Sequence, residues 1–125
     1  MARRLRRPAR RRLFEDNVRE LEAAVPADSP LLAEAYTNIA DCLTALGEET
    51  AAVEPARKAL AIRERRGDNP LQTAEARFVL AQAIWLAHRD PAAIAMAKVA
   101  REEMRAIGPQ ATTVPEIERW LAGRR

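Results

Sequence analysis

Apolar residues recur along this chain at helical spacing. Ala93, Ala97, Ala100, Met104 and Ile107 step by four and three, which gathers them into one stripe on an α-helix. Tyr36, Ile39, Leu43 and Leu46 make a second stripe, and Phe14, Val18, Leu21 and Val25 a third. Leu80 and Ile84 continue the pattern between them. Val, Ile and Thr form no alternating runs, so nothing argues for a sheet. Ser29-Pro30, Asn69-Pro70 and Asp90-Pro91 each put a capping side chain before a proline, which suits a helix start. Gly47, Gly67 and Gly108 suit helix ends, where a left-handed residue closes the last turn. The pattern predicts helices over 10–25, 30–46, 48–66, 70–88, 91–107 and 113–122. Pro55 falls inside the third. It is expected to remove a hydrogen bond there and to kink the helix or delay its regular part.

The stripes repeat. Ala33-Glu34-Ala35 returns 41 residues later as Ala74-Glu75-Ala76, and Ile39-Ala40 returns as Leu80-Ala81. Ala52, Ala59 and Gly67 return as Ala93, Ala100 and Gly108 without a gap. A period of this size marks a small unit that cannot bury its apolar face alone and must stack on its neighbours. One further step takes Glu75 to Glu116 and Leu80-Ala81 to Leu121-Ala122. The expected organisation is a basic, disordered arm at 1–10 and a helical domain at 11–125. The domain divides into a half unit at 11–29, units at 30–69 and 70–110, and a half unit at 111–122. Short loops make sequential helices antiparallel neighbours, so the expected fold is an all-α helix-pair solenoid of about six helices.

Small residues fill the slots where paired helices would cross: Ala40, Ala81 and Ala122 in the first helices, and Ala52, Ala59, Ala93 and Ala100 in the second. With Ile39, Leu80 and Leu121 just before the first set, this resembles the tetratricopeptide repeat. The longer period, Pro30-Leu-Leu-Ala33 and Ala59-Leu-Ala-Ile-Arg-Glu64 resemble repeats of the kinesin light chain type. Glu75-Ala-Arg-Phe-Val-Leu-Ala-Gln-Ala-Ile-Trp85, followed by Glu116-Ile-Glu-Arg-Trp-Leu-Ala122, resembles the last repeats of arrays attached to bacterial serine/threonine protein kinases. This chain carries no kinase domain, so the resemblance implies a recruiting or regulatory tail, or a stand-alone relative.

The resemblance also implies a peptide-binding concave face lined by the first helices. By register that face would hold Glu34, Thr37, Asn38, Asp41 and Thr44, then Glu75, Phe78, Val79, Gln82 and Trp85. The slot of Asn38 is filled by Val79 and then Trp120, which breaks any ladder of asparagines. The Lys and Arg pattern that clamps a terminal carboxylate in chaperone adaptors is absent. Phe78, Val79, Trp85 and Leu86 could anchor a partner in that groove. The competing expectation is that the terminal helix covers them, with Trp120 packing as a cap.

Composition adds two points. Apolar residues make up 48% of the 125 residues, much of it Ala, and aromatics only 4%, which suits closely spaced helices. The net charge of +3 conceals an asymmetry. Residues 1–12 hold seven Arg and no acid, whereas the remainder holds 14 basic against 18 acidic residues. Arg3, Arg4, Arg6, Arg7, Arg10, Arg11 and Arg12 could contact nucleic acid non-specifically, or an anionic partner or membrane surface, or form a solvated tail. No aromatic interleaving or reading motif accompanies them.

Candidate chemistry is sparse. His88-Arg89-Asp90 is the tripeptide of a kinase catalytic loop, but no metal-binding Asn follows and no Gly-rich loop precedes it. The expected role is a turn, with Asp90 capping the next helix. Cys42 is the only cysteine, which fits a reducing compartment and a small core residue rather than a nucleophile or ligand. No apolar run approaches spanning length, and no apolar segment follows the basic start as a secretion signal requires. The expectation is a cytoplasmic, non-catalytic scaffold with no cofactor and no metal. Its partner is a protein or peptide. Self-assembly through the terminal helices and nucleic-acid association through the arm are the alternatives.

Overall fold

The computed structural model describes residues 7–109 and 111–124. Among them the chain is all-α, with six helices and no strand: α1 Arg7–Ala24, α2 Pro30–Ala45, α3 Glu49–Arg66, α4 Pro70–His88, α5 Ala92–Ile107 and α6 Val114–Ala122. Most bounds fall within two residues of the sequence expectation. The exception is α1, which begins at Arg7, so the last part of the expected arm is helical.

Local chemistry sets the starts and stops. Ser29 Oγ accepts the amide of Leu31 at 3.2 Å, and Asn69 Oδ1 accepts that of Gln72 at 3.1 Å. The proline that follows each cap has no N–H to satisfy. Gly67 closes α3 at φ 64°, and its amide donates to the Arg63 carbonyl at 3.0 Å. Asp90 Oδ1 accepts the amide of Ala92 at 2.9 Å and so starts α5. Pro55 lies within α3, which runs unbroken from Glu49 to Arg66. Its ring borders an open cleft beside Ala51. Proline has no amide to donate to the carbonyl of Ala51, four residues before it.

Each helix packs on the next in the chain, and α2 also touches α4. Alanines make these approaches close. Ala40, Ala52, Ala59, Ala81, Ala93 and Ala100 are all buried. Ala122, the seventh small residue in this register, is exposed. No described helix follows α6 to cover it. The core falls into two clusters. One joins Val18, Leu32, Tyr36, Leu43, Leu60 and Leu80 of α1 to α4, and the other joins Phe78, Met104, Ile117, Trp120 and Leu121 of α4 to α6. Arg77 ties three helices together, donating to Glu103 at 2.6 Å and to Glu64 at 3.3 Å. Burial alone would lower its pKa. The hydrogen bonds and charges of the two glutamates outweigh that and raise it. No described helix is long and apolar enough to cross a membrane.

Candidate binding groove

The 41-residue spacing brings equivalent turns of α2, α4 and α6 to one face. There Asp41, Thr44 and Ala45 of α2, Val79, Gln82 and Leu86 of α4, and Trp120 with Arg124 line a groove of ≈ 290 Å³. Val79, Leu86, Ala45 and Trp120 give it an apolar surface, with polar groups at intervals along it. The side chains of Asp41, Thr44 and Gln82 make no hydrogen bond or ion pair with any described residue. Four of the ten residues expected from the sequence, Asp41, Thr44, Val79 and Gln82, therefore meet here.

The others are placed differently. Phe78 is 3% exposed and lies in the core against α6, so the covering helix takes it out of the groove. Asn38 borders a separate hollow between α1 and α2, with Phe14, Asn17 and Leu21. Thr37 is half-buried and its hydroxyl donates to the Ala33 carbonyl at 3.0 Å. Glu34 is exposed, and Glu75 is half-buried. Trp85 is half-buried at the edge of the core, with its ring 6.4 Å from that of Trp120 in an edge-to-face arrangement at 78°. Sequence reasoning missed Ala45 and Arg124. Ala45 stands one period before Leu86, so the register could have found it. Arg124 follows the last helix and had no such signal.

Acidic charge gathers near one part of the groove. Burial raises the pKa of Asp41, and the charge of Glu116 raises it further. Burial also raises Glu75, Arg63 pulls it back, and Glu116 again raises it. Basic charge gathers near Trp120. The Arg124 guanidinium lies 4.2 Å from the centre of the Trp120 ring, and that of Arg89 5.6 Å from the centre of Trp85. Arg124 Nη1 donates to the Trp120 carbonyl at 2.8 Å, while its buried Nε finds no acceptor among the described residues.

Among the described residues, none of the remaining candidates lines this groove. His88 ends α4, Arg89 caps it, and Asp90 starts α5, so the tripeptide forms a turn. Cys42 is half-buried on α2. No group of three metal-ligating residues occurs among the described residues. Of the arginine arm, Arg3, Arg4 and Arg6 lie outside the described residues, and Arg7 and Arg10 belong to α1. Arg11 pairs with Glu15 at 3.0 Å and with Glu48 at 3.9 Å, and Arg12 is exposed. No family model, curated protein or solved structure matches the chain.

Proposed function

We propose that this chain is a non-catalytic, protein-binding scaffold of the tetratricopeptide type. The groove between α2, α4 and α6 takes an extended segment of a partner protein. One observation carries this reading. Three polar side chains, Asp41, Thr44 and Gln82, border an apolar groove with no partner among the described residues. An extended segment offers backbone N–H and C=O groups at regular intervals to such side chains, and apolar side chains to Val79, Leu86 and Trp120.

The test is a selection of random extended peptides on the 125-residue chain, followed by variants. Val79→Lys, at the groove, should weaken the selected peptides at least about tenfold, because it puts a long charged side chain where the apolar surface would meet the peptide. Arg57→Glu, on the exposed side of α3, should leave them unchanged. Equal losses in the two variants, or none in either, would remove the groove as the binding face.

A further inference from the structure

We propose that Arg89 and Arg124 together hold a carboxylate side chain of an acidic partner segment, at the end of the groove beside Trp120. This rests on the groove being the partner-binding face, and it states which partner chemistry the groove prefers.

Arg89 occupies an unusual position. It is the one non-glycine residue with positive φ among the described residues, at 52°. The corresponding turn after α2 uses Gly47, at φ 78°. An L-residue with a β-carbon is strained in this region, and glycine is not. What the arginine supplies there is a side chain, and that side chain lies over Trp85. Strain at a single residue of this kind is a reason to look for a role.

Arg124 supplies the second half. Trp85 and Trp120 meet edge to face, and each carries one of the two guanidiniums on its ring. Neither arginine makes an ion pair with a described acid, whereas Arg66, Arg77, Arg101 and Arg105 all do. Arg124 is partly committed to the end of α6 through the Trp120 carbonyl. Its Nε is a further donor, buried and without an acceptor among the described residues. Buried donors are almost always paired, so this one points to an acceptor that arrives from outside. Burial and the positive charge of Arg89 both disfavour the charged form of Arg124. An anion between the two would relieve that repulsion.

A guanidinium presents its donors as a planar fork that matches a carboxylate or a phosphate. Asp41 decides between them, because it lines the same groove and is already in the field of Glu116. That field repels a dianion more than a monoanion. The ring contacts hold both side chains before the ligand arrives, so less freedom is lost on binding.

Trp85 and Trp120 are the only two tryptophans, so their fluorescence reports on the site directly. The probe is a blocked peptide alternating leucine and glutamate, titrated into the full chain, with its leucine–lysine counterpart as the control. The expected result is a saturable signal for the glutamate peptide, weakened by salt, and none for the lysine peptide. R124Q and R89Q should each raise Kd about tenfold or more. R89G separates function from folding. It relieves the left-handed strain, so its Tm should equal or exceed that of the wild type, while its Kd rises as for R89Q. Unchanged affinity in R89G and R124Q overturns the proposal, as does equal binding of the lysine peptide. Tighter binding of a phosphoserine peptide or of duplex DNA overturns the carboxylate assignment. If the arginine variants are silent while Val79→Lys still abolishes binding of selected peptides, the groove stands and the anion site falls. If Val79→Lys is silent too, the groove itself falls.

Discussion

Phe78 and Trp120 meet edge to face, with ring centroids 5.8 Å apart and planes at 89°. They lie 42 positions apart in the chain, one on α4 and the other on α6. Phe78 is buried by this contact, and Ile117 and Leu121 of α6 are buried beside it. The last helix is therefore a cover for the α4–α5 pair as well as one wall of the groove. Trp120→Ala or Phe78→Ala should each cost about 3–5 kcal/mol, the usual loss for a large buried aromatic. The pair should also show a coupling of about 0.5–1.5 kcal/mol in a double-mutant cycle. Urea unfolding of the two single variants and the double variant measures both. A cost below about 1 kcal/mol for Trp120→Ala would mean that α6 does not close the core.

The alanine slots give a second, independent test of the packing. Ala81 is fully buried between α4 and its neighbours, whereas Ala122 holds the same register on α6 and is exposed. Ala81→Leu should destabilise the chain by about 1–3 kcal/mol, since a packed crossing has no room for the added carbons. Ala122→Leu should stay within about 0.5 kcal/mol of the wild type, as surface substitutions do. Thermal unfolding compares them. A large cost at Ala122 would place an uncharted neighbour against α6.

These contrasts show which parts of the structure were legible in the sequence. Helix starts and stops were, because Ser29, Asn69 and Gly67 act within four residues of themselves. The burial of six of the seven small residues was, because alanines at helical spacing mark where a neighbouring helix comes close. Phe78 was not decided by its own register, since its burial depends on a helix some forty residues later. Asn38 shares a register with Val79 and Trp120, yet α1 packs on its helix and a hollow forms there. Arg124 lies beyond any repeat. Its position is set by a ring and a carbonyl of Trp120, neither of which leaves a periodic trace.

Asp41 makes stability depend on pH. Burial and Glu116 raise its pKa from the ordinary 3.8 in the folded chain. Between the ordinary and the raised value the folded state binds more protons than the unfolded state. Stability is therefore highest below that window and falls as pH rises through it. Asp41 also lies near the C-terminal end of α2, where a negative charge opposes the helix dipole. Asp41→Asn removes the charge and both penalties. Its Tm should exceed that of the wild type at pH 7, on the order of 2 °C. The difference should vanish near pH 3, where the wild-type carboxyl is already protonated. Melting curves from pH 3 to pH 7 check this. A constant offset across that range would show that charge is not the cause.

Tyr36 predicts the opposite end of the pH scale. Burial, the hydrogen bond from its hydroxyl to Glu22 at 3.1 Å and the charge of Glu22 push its pKa up to about 12 from 10.0. The folded chain thus keeps a proton that the unfolded chain releases. The resulting stability is complete below pH 10 and is lost as pH rises through about 12. Since Glu22 is exposed, the contribution is about 1–2 kcal/mol once solvent screening is allowed for. Tyr36→Phe keeps the ring beneath Lys58, which lies 5.5 Å from its centre, and removes only the hydroxyl. The variant should be about 1 kcal/mol less stable at pH 8. It should also be less sensitive to alkali, so the two unfolding curves converge as the pH approaches 12. Tyr36 is the only tyrosine, so absorbance titration of the wild type reads its ionisation without overlap from another phenol. A midpoint near 10 in the folded chain, or parallel unfolding curves for the two proteins, would show that the Glu22 contact does not hold α1 against α2.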